Sequence, residues 1–336
     1  MRKRRSFYVQ WHLLDRCNLR CRHCYQDNFS SEPELSWPEL KFLADNLIST
    51  MRIWQAKLEV ALTGGEPFLK KELKLLLETL NSSSEVKAIS LITNGLLIPD
   101  WVEELKKFKK FKELRISLDG VRPETNDDLR GQGTYKQVLK GMRKVKEMGL
   151  PFLIMFTVMK KNFHEVPWLF ELAKTVGASG FIIERFFPLG QGKNWVNEVL
   201  GAEDFFFLWE QILDRSNLAA RPKELIPFRA IKIELDQPFP RVFGSGCIIG
   251  QDGLALMPDG TIFPCRRFPL PLGNLMEKPL SEIWQNSKIL QTLRDKSKLK
   301  GHCSNCQVKT CFGCRAMSYV LTGDPFAPDP HCWLMS

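Results

Sequence analysis

The 336-residue sequence predicts an α/β chain with a parallel sheet, curled into an open or partial barrel or else doubly wound, followed by a small Cys-rich C-terminal unit. Three observations predict it. Apolar, β-branched runs alternate six times with amphipathic segments. Loops of unusual composition follow those runs instead of preceding them. The ten cysteines sit at the two ends: three in the first 24 residues, then none until Cys247, and seven from Cys247 to Cys332.

The runs are FYVQWHL (7–13), LEVALT (58–63), KAISLIT (87–93), LRISL (114–118), FLIMFTV (152–158) and FIIERF (181–186), each reading as a buried strand. The clearest helix opens at SWPE, with Ser36 as N-cap, Pro38 in the first turn, Glu39 closing a capping box, and Leu40, Leu43, Leu47 and Ile48 on one face. Another runs from Thr134, with Val138, Met142 and Val145 on one face and Gly149 as its C-cap. Right-handed crossovers bring the ends of the strands to one rim. The Cys loop follows strand 1, GGEP (64–67) strand 2, TNG (93–95) strand 3, SLDG (117–120) strand 4 and ERFFPLGQG (184–192) strand 6.

This alternation occupies residues 1–190. Residues 191–246 read as a helical bridge, with AEDFFFLWEQILDR (202–215) and the Pro-containing RPKELIPFRAIKIELDQPFPR showing no further strand and helix repeat. The remainder, 247–336, is rich in Gly, Pro and Cys and has too small a core to hold together without staples, which metal can supply.

The net charge of +10 favours acidic partners, but the basic residues alternate with acids in helical faces such as KKELKLLLE and EELKKFKKFKE, so solvated helices account for most of it. No nucleic-acid partner is expected. No run of about 18 uncharged apolar residues appears, and MRKRR leads into an apolar run that is short and lacks a small-residue cleavage site. The chain therefore reads as cytoplasmic, with no membrane partner. Reducing compartments keep thiols free, so ten cysteines there point to metal or redox chemistry.

DRCNLRCRHCYQ (15–26) places Cys17, Cys21 and Cys24 within eight positions. Structural zinc wants four tetrahedral ligands, and His23, the candidate fourth, would have to turn back on its own loop. An iron-sulfur cluster on three thiolates leaves one iron open for a ligand that is not protein, a reason for three cysteines instead of four. Taken singly, GGEP is a tight turn, SLDG a strand ending in an Asp-Gly turn and Arg185 a rim charge. Together, in order and at one rim, they describe a site.

The C-x3-C-x2-C spacing after the first strand, with these later loops, resembles the radical S-adenosylmethionine (SAM) superfamily. The resemblance implies a partial (β/α)6 barrel in which the open iron of a 4Fe-4S cluster chelates the amino and carboxylate groups of SAM. Gly64, Gly65, Glu66 and Pro67 match the GGEP motif that meets the SAM amino group, and Asn94 and Ser117 match positions facing its ribose or methionine moiety. Arg130 and Arg185 match a SAM-contacting or structural arginine, and His23 the ring that flanks the adenine.

The C-terminal run CSNCQVKTCFGC, as bare spacing, is also that of a zinc knuckle or ribbon. The seven-cysteine order, with Gly260 five positions before Cys265, resembles the SPASM extension of radical SAM enzymes, a small iron-sulfur domain with two auxiliary 4Fe-4S clusters. The central spacings, x4 and x2, are shorter than that family's usual x5 and x3. By order, Cys303, Cys306, Cys311 and Cys332 complete the distal cluster, and Cys247, Cys265 and Cys314 hold the other. No cysteine lies just upstream of Cys247, so the latter cluster is expected to keep a fourth iron for a substrate thiolate, solvent or another side chain.

The resemblance implies reductive cleavage of SAM to a 5′-deoxyadenosyl radical that takes hydrogen from the substrate, with three 4Fe-4S clusters in all and an electron donor such as flavodoxin or ferredoxin. SPASM proteins mostly modify peptides. The leading expectation is thus a maturase that oxidises or crosslinks a ribosomally made peptide, Cys-containing if the product is a thioether, with an acidic leader read by the body of the chain or by a separate recognition protein. The alternatives are a radical SAM enzyme acting on a small molecule such as a haem precursor, and a non-catalytic iron-sulfur or zinc protein that carries electrons or binds a partner. Arg266, directly after Cys265, stands where sulfatase-maturating members place an acid, which disfavours that branch.

Overall fold

The computed structural model describes residues 5–30, 34–216, 220, 222–228, 230–308 and 310–335; the basic start at 1–4, a few positions of the 191–246 segment and Lys309 of the CSNCQVKTCFGC run lie outside them. Six strands, β1 (Ser6–His12), β2 (Lys57–Thr63), β3 (Val86–Thr93), β4 (Phe111–Ser117), β5 (Phe152–Val158) and β6 (Gly180–Arg185), lie side by side in chain order. Each pairs in parallel with the next. Helices α1 (Trp37–Ile53), α2 (Leu73–Ser82), α3 (Ile98–Leu105), α4 (Pro123–Arg130), α5 (Thr134–Glu147) and α6 (Val166–Val176) return the chain between them. The sheet does not close, so this part is a partial (β/α)6 barrel.

Local chemistry sets the boundaries. At the start of α1 the Glu39 carboxylate accepts the Ser36 backbone N–H at 2.7 Å and its hydroxyl at 2.5 Å. The helix buries Leu40, Leu43, Leu47 and Met51 against the sheet, each worth about 1.5–3 kcal/mol. Helix α5 is capped by Met148, and Gly149 takes the left-handed position just beyond, at φ 69°.

The bridge is not wholly helical. After α7 (Ala202–Ser216) and the short α8 (Pro222–Leu225), strands β7 (Ala230–Glu234) and β8 (Arg241–Ser245) form a hairpin whose first strand pairs antiparallel with β6. In AIKIE the buried Ile231 and Ile233 alternate with Lys232 and Glu234, a period-2 pattern too brief to stand out beside the prolines around it. The hairpin takes up the backbone groups that β6 would otherwise leave unpaired.

The C-terminal unit is joined to the barrel by the sheet itself. Strand β9 (Gly253–Leu256) pairs in parallel with β1, and β10 (Thr261–Phe263) and β11 (Gly273–Asn274) continue beyond it, giving one sheet of eleven strands. Helices α9 (Leu280–Asn286), α10 (Lys288–Arg294) and α11 (Arg315–Thr322) complete the unit. Among the described residues, no helix is long and apolar enough to cross a membrane.

Candidate active site

The Cys loop after β1 is gripped by backbone from three other elements. Gly65 and Glu66, after β2, donate to the carbonyls of Leu14 and Arg16 at 2.8 and 3.0 Å. A Cβ on Gly65 would stand 2.2 Å from the Arg16 oxygen, and one on Gly64, at φ 150°, 2.5 Å from the Leu14 oxygen. The two glycines therefore exist for this close approach. The Arg22 N–H reaches the Leu129 carbonyl in α4 at 2.9 Å, and Gly192, in the loop after β6, donates to the Cys24 carbonyl at 3.0 Å.

One charged group organises the interior of this grip. The Asp119 carboxylate is fully buried and takes Arg130 Nε and Nη2 at 2.7 and 2.6 Å, His23 Nε2 at 2.9 Å and the Thr157 N–H at 2.7 Å. Burial alone would raise its pKa, but the Arg130 charge and the hydrogen bonds from His23 and the Thr157 N–H win and hold it well below the ordinary range. Arg130 then points Nη1 at the Cys21 sulfur, 4.0 Å away. Asp119 belongs to SLDG, which by sequence reads as a turn residue; its role arises only when β1, α4 and β5 meet.

Glu66 and Pro67 do not lie on the cavity wall. The Glu66 carboxylate turns into the protein and accepts Thr93 Oγ1 at 2.9 Å, the Asn94 N–H at 2.8 Å and the Phe68 N–H at 3.2 Å. Burial outweighs these donors and pushes its pKa up to about 7. Glu66 thus ties the β2 loop to the β3 loop, where Asn94 Nδ2 reaches Asn18 Oδ1 at 2.7 Å and the Cys17 sulfur at 3.8 Å.

Cys17, Cys21 and Cys24 share a cavity of about 140 Å³ with His23, Gly64, Gly65, Asn94, Ser117, Arg130 and Arg185. The same cavity is lined by Gln10, Met155, Thr157, Glu184, Phe186, Phe187 and, from the C-terminal unit, Arg267, none of them singled out as a site residue by the sequence. Arg185 is buried at the edge, facing Asp329 at 3.5 Å, the Phe228 carbonyl at 3.3 Å and the Phe205 ring at 4.8 Å.

The C-terminal cysteines fall into two places. Cys303, Cys306, Cys311 and Cys332 line one cavity of about 290 Å³ together with His302, Phe312, Asp329 and His331. Cys247, Cys265 and Cys314 sit in an apolar cluster with Phe187, Ile249, Phe268 and Met317. Asp329 links the two, accepting the Cys314 N–H at 2.7 Å and the His331 N–H at 3.1 Å.

A 4Fe-4S cube spreads its ligands over separate corners, and the three thiols that share one cavity fit three of them. Burial raises the Cys17 and Cys24 thiols, and Cys21 to about 12. The loop does not make thiolates by itself, and bound iron must supply the positive charge that removes their protons.

Residues 11–173 match the model of the radical SAM superfamily, and 247–307 that of SPASM, an iron-sulfur cluster-binding domain. The AdoMet-dependent heme synthase of Methanosarcina barkeri is 32% identical across 96% of this chain and 95% of its own. The chain belongs to the radical SAM superfamily. It is a radical SAM enzyme with a SPASM domain, and SAM and iron-sulfur clusters are its cofactors. The subtilosin biosynthesis protein AlbA of Bacillus subtilis is 27% identical over 90% of this radical SAM chain and 67% of its own. The fold matches that of Streptococcus suis SuiB bound to its precursor peptide SuiA, with a TM-score of 0.74 at 19% identity, covering 97% of this chain and 75% of SuiB.

Proposed function

We propose that this radical SAM enzyme acts on a carboxylate-bearing haem precursor and oxidatively trims its side chains, using three 4Fe-4S clusters. The observation that carries this reading is the end-to-end likeness to a heme synthase, at 32% identity over 96% of the chain. When bound, the N-terminal cluster and SAM supply hydrogen-atom abstraction. Turning a propionate into a vinyl group removes one hydrogen atom, one electron and carbon dioxide. The site must therefore bring together a hydrogen acceptor, an electron sink and a carboxylate anchor. The Cys17, Cys21 and Cys24 loop and the guanidinium groups of Arg130, Arg185 and Arg267 line one cavity, and Phe187 on its wall packs in the apolar cluster that holds Cys265. On this reading Gly64, Gly65, Asn94, Ser117 and His23 hold SAM, Asp119 and Arg130 fix the loop, and Met155, Phe186 and Phe187 exclude water from the reacting atoms.

Peptide maturation is the second reading, supported by the likeness to AlbA over 90% of the chain. Its substrate would be a Cys-containing peptide, with leader recognition and an electron donor as further partners. Anaerobic reconstitution should give about twelve irons per chain, and the protein should then be incubated with SAM, a reductant and either an iron porphyrin bearing propionates or a Cys-containing peptide. Substrate-dependent 5′-deoxyadenosine with loss of carbon dioxide from the porphyrin is the expected result. Turnover of the peptide alone would replace this reading with the second.

A further inference from the structure

We infer that Arg267 is the anchor for the substrate carboxylate, at a subsite between the Cys loop and the auxiliary thiols; this rests on the proposal that the substrate carries carboxylates. Among the described residues, three guanidinium groups reach the cavity wall, and each meets a carboxylate. Arg130 spends Nε and Nη2 on Asp119 and turns Nη1 to the Cys21 sulfur. Arg185, 5% exposed, faces Asp329 and the Phe228 carbonyl. Arg267 differs. Its side chain keeps 24% of its surface open, it meets Glu184 Oε2 through Nη1 at 2.8 Å, and its Cζ lies 5.1 Å from the centre of the Phe187 ring.

A guanidinium carries five donors in a flat fork and can receive a carboxylate edge-on. One carboxylate at Nη1 leaves the rest of that fork for a second. Leaving such a cation unpaired away from water costs several kcal/mol, and Glu184 meets that need at Nη1 alone. Glu184 is itself on the cavity wall, at the end of β6, while Arg267 comes from the C-terminal unit two residues after Cys265. A carboxylate bound here stands on the side of the cavity facing the auxiliary cysteines, with the rest of the molecule toward Cys17, Cys21 and Cys24. Substrates without a negative charge gain nothing from the subsite, which makes Arg267 a specificity-determining residue.

The test compares the affinity of the reconstituted protein for an iron porphyrin bearing free propionates with that for its methyl ester. Wild type should prefer the acid. Arg267→Gln should bind the acid about 10- to 100-fold more weakly, the loss of a charged hydrogen-bonded pair, and bind the ester as wild type does, erasing the preference. Glu184→Gln, which removes the rival carboxylate, should bind the acid at least as tightly as wild type. An Arg267→Gln variant that keeps the preference overturns the inference. If that variant fails to take up its iron, Glu184→Gln decides alone: weakened binding of the acid makes the ion pair a structural clasp and the inference wrong. A wild-type protein that binds acid and ester equally refutes the anchor, whereas one that binds neither refutes the haem-precursor reading beneath it.

Discussion

The two ends of the chain hold cysteines by different means. Around Cys17, Cys21 and Cys24 the protein has built the site from backbone: β2, α4 and the β6 loop each donate to or accept from the Cys loop, and Asp119 fixes His23 and Arg130 beneath it. Around Cys303, Cys306, Cys311 and Cys332 there are short turns and the cavity they enclose, with the Gly313 N–H donating to the Cys311 sulfur at 3.3 Å. The first loop is shaped by backbone from the barrel; the second, enclosed by short turns, is expected to draw more of its order from its cluster. The difference teaches that similar cysteine spacings can report opposite divisions of labour between protein and metal.

The comparison breaks most visibly if cysteines are removed. Cys17→Ala, Cys21→Ala and Cys24→Ala together should reduce SAM cleavage to background while about eight irons of the proposed twelve remain; surviving cleavage would move the active site elsewhere. Next, stripping iron with a chelator should strip hydrogen-exchange protection from residues 280–335 while β1 to β6 stay protected. Equal loss in both regions would show that the barrel loop needs its metal just as much.

Asp119→Asn attacks the barrel site from below, because it leaves Arg130 buried with a neutral partner. It should cost about 3–5 kcal/mol in denaturant unfolding. Gly65→Ala should lower SAM cleavage by about 10²-fold, since its Cβ must displace the Arg16 carbonyl and with it the Cys loop. The matching change at Gly201, where the nearest atom to a Cβ is Asp204 Oδ2 at 3.6 Å, an ordinary contact, should leave cleavage unchanged.

The most gradual effect is a pH dependence. The Glu66 carboxyl rises from 4.5 to about 7 on burial, so the folded chain holds this proton over a range where the unfolded chain has lost it. Stability of the SAM-free protein should therefore fall as pH climbs from about 4.5 to about 7, by at most about 1.4 kcal/mol per pH unit, and level off above. Glu66→Gln should flatten that slope in urea titrations at several pH values. An unchanged slope would assign the effect to another group.

Much of the barrel and of the cysteine loop was legible because the signals are local. Periodicity marked all six parallel strands, and the spacing of Cys17, Cys21 and Cys24, with two glycines after β2, marked a loop with something to hold. The hairpin of β7 and β8 was not legible, since five residues of alternation between prolines give little pattern. Asp119 carried no signal beyond an Asp-Gly pair. Glu66 was legible as part of a motif, but its direction, away from the cavity and onto Thr93 and Asn94, was not.

What the sequence determined by itself is the list of chemical parts and their order: thiols in groups, a glycine pair, strands followed by loops. These follow from contacts within a few residues, where spacing fixes geometry. The tertiary structure decided which parts meet. It placed β9 against β1, so that the C-terminal unit extends the barrel's own sheet, and brought Arg267 to Glu184 across the cavity and Asp119 to His23 and Arg130. Those pairings depend on burial of charge between elements far apart in the chain, and no local pattern encodes which buried cation a given carboxylate will find.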